Sequence, residues 1–80
     1  MTIAVLLFAS YAEALGGSSI TLELPSGSSV RDLLDRVARL PGADRLPPSP
    51  LVAVNQCYAP PHHRLTAGDE VAIVPPVAGG

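Results

Sequence analysis

Eighty residues, 48% apolar and 15% charged with a formal net charge of −2, suffice for one small domain around one core. That balance excludes a disordered tail, and because all five basic residues are scattered arginines it also excludes a nucleic-acid surface. A single cysteine, Cys57, excludes an internal disulfide, and no apolar run approaches the ~20 residues that span a bilayer. The apolar start has no basic residue before it and no cleavage site, so it is not read as a signal peptide; a soluble cytoplasmic domain without membrane contact is expected.

Residues 3–8 form a six-residue apolar run, too short for a buried helix and suited to a central strand covered on both faces. Residues 10–15 predict a short helix stopped by Gly16-Gly17. Residues 20–24 alternate apolar and polar positions, as in a strand with one buried face, and Pro25-Ser26-Gly27 closes it. Ser29 then predicts an N-cap answered by Asp32 in a capping box. Val30, Leu33, Leu34, Val37 and Ala38 recur at helical spacing as one apolar stripe, and Pro41-Gly42 ends the helix.

Three prolines make residues 43–50 a loop. Residues 51–54 predict a short strand, Asn55-Gln56 a turn, and Cys57-Tyr58 a brief edge strand before Pro60-Pro61. Residues 65–69 form a turn into a last strand over residues 70–74. The order strand, strand, helix and two or three further strands predicts an α+β domain of β-grasp, ubiquitin-like type. It has a mixed sheet of four to five strands, one main helix on one face, and the terminal strands as neighbours. A ferredoxin-like fold needs a second long helix, and the proline-rich loop occupies its place. The domain is expected over residues 1–75, with residues 76–80 as an extended tail.

The usual catalytic elements are weak. Gly16-Gly17-Ser18-Ser19 lacks the lysine of a phosphate loop. Adjacent His62 and His63 diverge on an extended segment, so no metal site is expected, and Cys57 reads as a small packing residue. Asp69 reads as a turn residue rather than half of a carboxylate pair with Glu70. The end of the chain is different. Pro75 and Pro76 stiffen the exit from the last strand, Val77 and Ala78 follow, and Gly79-Gly80 carry no bulk beside the terminal carboxylate. Fully extended, six residues from Pro75 reach roughly 20 Å, enough for the end to enter a narrow channel while the body stays outside.

Residues 53–56, 65–72 and 75–80, and more loosely residues 5–9 with Glu13, resemble the small sulfur-carrier subunits of molybdopterin synthase, in the MoaD/ThiS family. The chain departs from that family at Ala12, where an arginine is frequent, and near Ile73 or Val74, where an aromatic is frequent. The resemblance implies a carrier without its own catalytic centre and without a bound cofactor. Its partner enzyme uses ATP to adenylate the carboxylate of Gly80, and a sulfur donor protein converts it to a thiocarboxylate. The tail then enters the large catalytic subunit of a heterotetramer, where sulfur passes to cyclic pyranopterin monophosphate in molybdenum cofactor biosynthesis.

The residues agree with that scheme. A carboxylate with an ordinary pKa of ~3.3–3.7 is a poor electrophile at neutral pH and needs activation from elsewhere. Both partners must read the same body. If Val71 and Ile73 face the helix, Ala72 and Val74 face outward, and Leu6 and Phe8 have the parity opposite to Ile3, Val5 and Leu7. Phe8 and Val74, joined by Tyr58, are the candidate partner-binding residues, with Glu13, Asp69 and Glu70 as rim contacts. Three alternatives remain open: a sulfur carrier for thiamine or cysteine synthesis, a ubiquitin-like modifier of other proteins, and an interaction module whose glycine end is incidental.

Overall fold

The structure, a computed structural model, describes residues 1–75. Its elements run β1 (Thr2–Leu7), α1 (Ser10–Leu15), β2 (Ser19–Glu23), α2 (Val30–Val37), β3 (Leu51–Val54), β4 (Cys57–Tyr58) and β5 (Glu70–Val74), with one 3₁₀ turn at Ala43–Arg45. The strands make one sheet in the order β2-β1-β5-β3-β4. β1 and β5 run parallel at its centre, with Val5 opposite Val71 and Leu7 opposite Ile73. The other pairings are antiparallel. Five strands of mixed direction under one crossing helix are the β-grasp arrangement that the order of elements predicts. The expected tail from Pro76 to Gly80 lies outside the described residues.

Period-two patterning sorts the strands into two faces. Ile3, Val5 and Leu7 of β1, Leu22 of β2, Val52 and Val54 of β3, and Val71 and Ile73 of β5 are buried together with Val30, Leu33 and Val37 of α2. Burying each such side chain is worth roughly 1.5–3 kcal/mol, so this layer is the main source of stability. The expectation that β1 is covered on both faces fails. It is paired along both edges, but Thr2, Ala4 and Phe8 on its other face are exposed and Leu6 is only half-buried. An apolar run reports hydrophobicity, and here half of it points away from the core. Ala38 also leaves the predicted stripe: α2 closes at Val37, and Ala38 is its exposed C-cap.

α2 begins as its sequence dictates. The Ser29 N–H donates to Asp32 Oδ2 at 2.9 Å and the Asp32 N–H to Ser29 Oγ at 3.2 Å, closing the capping box. Hydrogen bonding from Ser29, chiefly from its backbone N–H and then from its side chain, holds the Asp32 carboxyl below its ordinary 3.8, with help from Arg64 and Arg31. α1 stops at Gly16, whose φ of 82° is left-handed. Tyr11 of α1 is buried, and its hydroxyl donates to the Pro47 carbonyl at 2.6 Å, pinning the proline-rich loop to the core. Gly42 fixes the start of that loop against α1. At φ 91°, a Cβ there would lie 2.1 Å from the Ala14 carbonyl oxygen.

Gly42→Ala combines a forbidden φ with a backbone clash, so it is expected to lower stability by about 2–4 kcal/mol in urea unfolding. Gly16→Ala meets nothing within 4 Å and loses only about 1 kcal/mol. The lowered pKa of Asp32 sets a second expectation. A carboxyl depressed in the folded state contributes above its unfolded value and loses that contribution as pH falls through the folded one. Asp32→Asn is therefore less stable than the native chain at neutral pH, and the gap between their melting temperatures closes as the pH drops below 3.8.

Candidate functional site

The sheet leaves one face open, and the register assembles it. Tyr58 pairs with Ala53, Ala53 with Ala72, and Ala72 with Leu6, so one row of side chains crosses four strands. Beside it Leu51 pairs with Val74, and Phe8 stands just past the end of β1. The alanines make the middle shallow, while Phe8, 47% exposed, and Tyr58, 73% exposed, are the large apolar side chains left in water among the described residues. Val74 is half-buried. All three expected partner-binding residues thus carry outward parity on one face. Leu51 and Ala53 belong to it as well and were not singled out, although their alternation with Val52 and Val54 carries the signal. Isolated exposed apolar residues are ordinary, but a contiguous row of them marks a contact surface.

No strand contributes a basic residue, and Glu23 and Glu70 border the open face. The arginines stand elsewhere: Arg31 and Arg36 on α2, Arg39 just past its end, Arg45 in the 3₁₀ turn and Arg64 in the loop that bonds the Gly27 carbonyl at 2.8 Å. A partner meeting the open face therefore encounters an apolar centre with an acidic border.

The root of the C-terminal segment lies at one end of this face. β5 ends at Val74, and the Phe8 N–H donates to the Ile73 carbonyl at 3.2 Å. Pro75, the last described residue, therefore sits between the end of β1 and the start of β3. Phe8 leads into a tight turn. The Tyr11 N–H donates to the Phe8 carbonyl at 3.1 Å, and Ala9 has φ 49° and ψ −123°, the first central position of a type II′ turn. On the other flank Ser49 has φ 55°. Nothing in the sequence announced either conformation.

The remaining candidates are structural or isolated. Asp69 accepts from the Asn55 side-chain amide at 3.0 Å and from the Thr66 N–H at 2.8 Å, which ties its carboxylate into the turn before β5. Asn55 Oδ1 in turn accepts from the Glu70 N–H at 3.0 Å, so Asn55 stitches the β3–β4 turn to β5, a role its sequence position did not reveal. The His63 carbonyl accepts from the Val30 N–H at 2.9 Å, and both histidines are exposed. Cys57 is exposed on β4. Among the described residues no group of three His, Cys, Asp or Glu is placed to hold a metal ion, and no helix is long and apolar enough to cross a membrane.

Comparison with known proteins gives this geometry a lineage. Residues 5–80 match the ThiS family. The chain is 41% identical over 83 aligned positions to the molybdopterin synthase sulfur carrier subunit of Chlamydomonas reinhardtii, covering 100% of both. Among solved structures it resembles small archaeal modifier protein 1 of Haloferax volcanii, with TM-score 0.82, 28% identity, and 95% and 98% of the two chains covered. It also resembles a protein described as subunit 1 of a molybdopterin converting factor from Pyrococcus furiosus, with TM-score 0.83, 26% identity, and the same coverage. An open-faced β-grasp sheet and a full-length match together identify the chain as a member of the ThiS family of sulfur-carrier proteins.

Proposed function

We propose that this chain is the sulfur carrier of a molybdopterin synthase. The observation that carries the reading is spatial: β5 is central in the sheet, and it delivers the chain at Pro75 to the edge of an open apolar face. The full-length similarity to a carrier subunit supports it.

The chemistry follows from the terminal carboxylate of Gly80. It is anionic at neutral pH and resists attack, so an ATP-dependent partner must activate it. The carboxylate oxygen bonds to the α-phosphorus of ATP and pyrophosphate leaves. A sulfur donor protein then delivers sulfide-level sulfur (HS⁻) to the acyl carbon, the acyl–phosphate C–O bond breaks, AMP leaves, and a thiocarboxylate remains. In the large subunit of the synthase the sulfur passes to cyclic pyranopterin monophosphate. This chain contributes a docking face and a reactive end, and the catalytic groups belong to its partners. Phe8, Tyr58 and Val74 dock, while Pro75, Pro76, Val77, Ala78, Gly79 and Gly80 thread the partner's channel. The work is cytoplasmic, where thiols stay reduced.

A second reading is a protein modifier that joins its terminal glycine to amines. The likeness to the archaeal modifier favours it, and it shares the adenylation step. Intact-mass analysis after co-expression with the activating enzyme separates the two. A carrier gains the mass of one sulfur in place of one oxygen and loses it again when the large subunit and pterin are added, whereas a modifier appears in covalent adducts.

Deleting Gly80 is expected to leave the melting temperature unchanged, because the described core and sheet are complete by Val74, and to abolish sulfur transfer in a reconstituted assay. Transfer by the shortened chain overturns the reading. Phe8→Asp and Tyr58→Ser remove exposed apolar contacts, so binding to the large subunit measured by calorimetry should weaken about tenfold each while the folds melt within a few degrees of the native chain.

A further inference from the structure

The sheet has two outer strands, and β2 is the longer of them. Its pairing with β1 fixes which of its backbone groups are already used. The Met1 ammonium donates to the Leu24 carbonyl at 2.6 Å, and the Leu24 N–H donates back to the Met1 carbonyl at 2.9 Å. At the other end the Leu7 N–H donates to the Ser18 carbonyl at 2.9 Å. Bonded and unbonded pairs alternate along an antiparallel ladder, so Ile20 and Leu22 also bond to β1, opposite Val5 and Ile3. The N–H and C=O groups of Ser19, Thr21 and Glu23 therefore point the other way, out of the edge of the sheet. All three residues are exposed, and among the described residues no strand lies beyond them.

Edge strands are ordinarily guarded by a charge, a proline or a bulge. β2 has no proline and no lysine, and its register against β1 runs without a bulge from Ser19 to Glu23. Its one charged side chain, Glu23, is drawn back toward β1, where Thr2 Oγ1 donates to its carboxylate. The edge that remains is self-complementary. A two-fold axis at Thr21 sets Thr21 against its own copy and Ser19 against Glu23 in both directions, so no like charges stand opposite one another. The same axis sets the half-buried Ile20 against Leu22 on the core side, an apolar pair that covers what Ile20 still exposes.

We propose that two copies of this chain join through β2, antiparallel and about a two-fold axis, into one continuous sheet. Ser19, Thr21 and Glu23 each exchange both backbone hydrogen bonds with the residue opposite. The assembly closes on itself. It occupies both β2 edges and leaves only the two-residue β4 edges outside, which are too short to carry a further copy. The contact lies in the plane of the sheet, so the open faces of both copies look the same way and Phe8 and Tyr58 stay uncovered. Pairing along one short edge covers little area, so the dimer is weak, with a Kd on the order of 10–100 μM. The inference concerns the chain alone and does not rest on the carrier reading.

The test is sedimentation equilibrium of the full-length chain from about 5 μM to about 1 mM at low salt, across which the native chain should pass from monomer to dimer. Thr21→Pro removes the central outward amide at a place where an edge strand tolerates proline, so it should stay monomeric while melting within a few degrees of the native chain. Ser19→Glu sets a carboxylate opposite Glu23 of the second copy and should weaken the dimer about tenfold. Ser19→Lys sets an ammonium there and should tighten it about threefold. These two carry the test if Thr21→Pro does not fold. Tyr58→Ser, on the open face, should leave the dimer unchanged. A native chain that stays monomeric overturns the inference, as does growth beyond the dimer. A dimer that survives both Thr21→Pro and Ser19→Glu, or that Tyr58→Ser dissolves, overturns it by placing the contact elsewhere. Sulfur transfer is not read, so failure of the carrier reading and failure of this inference show in separate experiments.

Discussion

The parallel pairing of β1 with β5 is the constraint on which the other features depend. It joins the two ends of the sequence at the middle of the sheet, with Ala4 opposite Glu70 and Leu7 opposite Ile73. Parallel neighbours need a long connection, and everything between them is that connection: α1, β2, α2 and the hairpin of β3 and β4. The same pairing sends the two strands out of the sheet at one end. Phe8 and Pro75 therefore leave the sheet side by side, so the proposed docking residue stands beside the root of the proposed reactive segment.

Much of this was legible in the residues. Residues 20–24 alternate because one face of β2 is buried, and the Ser29–Asp32 box marked the start of α2 because a short polar side chain there has a backbone donor to satisfy. The open face was readable through parity: Leu6, Phe8, Ala72 and Val74 are outward for the reason that Val5, Leu7, Val71 and Ile73 are inward. The error over β1 came from judging it by composition instead. Six apolar residues in a row say that both faces are hydrophobic, and only the topology says that one of them has no layer above it.

Other features had no sequence signal to offer. The turns at Ala9 and Ser49 use residues that ordinarily avoid positive φ, so local preference points the wrong way. Asn55 joins Asp69 and Glu70 across a separation that only the folded sheet closes. Gly42 looked like the residue that ends α2, yet its lack of a side chain answers to Ala14, on a different helix. In each case the cause lies in tertiary contact, which no window of neighbouring residues contains.

The shortness of β4 has a wider consequence. A bare apolar sheet invites copies to add strand upon strand, yet here one outer edge is two residues long and is followed at once by Ala59 and Pro60-Pro61. A prospective neighbour finds too few free amides there to template a ladder, and the prolines supply none. The opposite edge, β2, carries Ser19, Thr21 and Glu23 toward the open face. The apolar flat side thus ends, at the β4 rim, in an edge too short to template another strand.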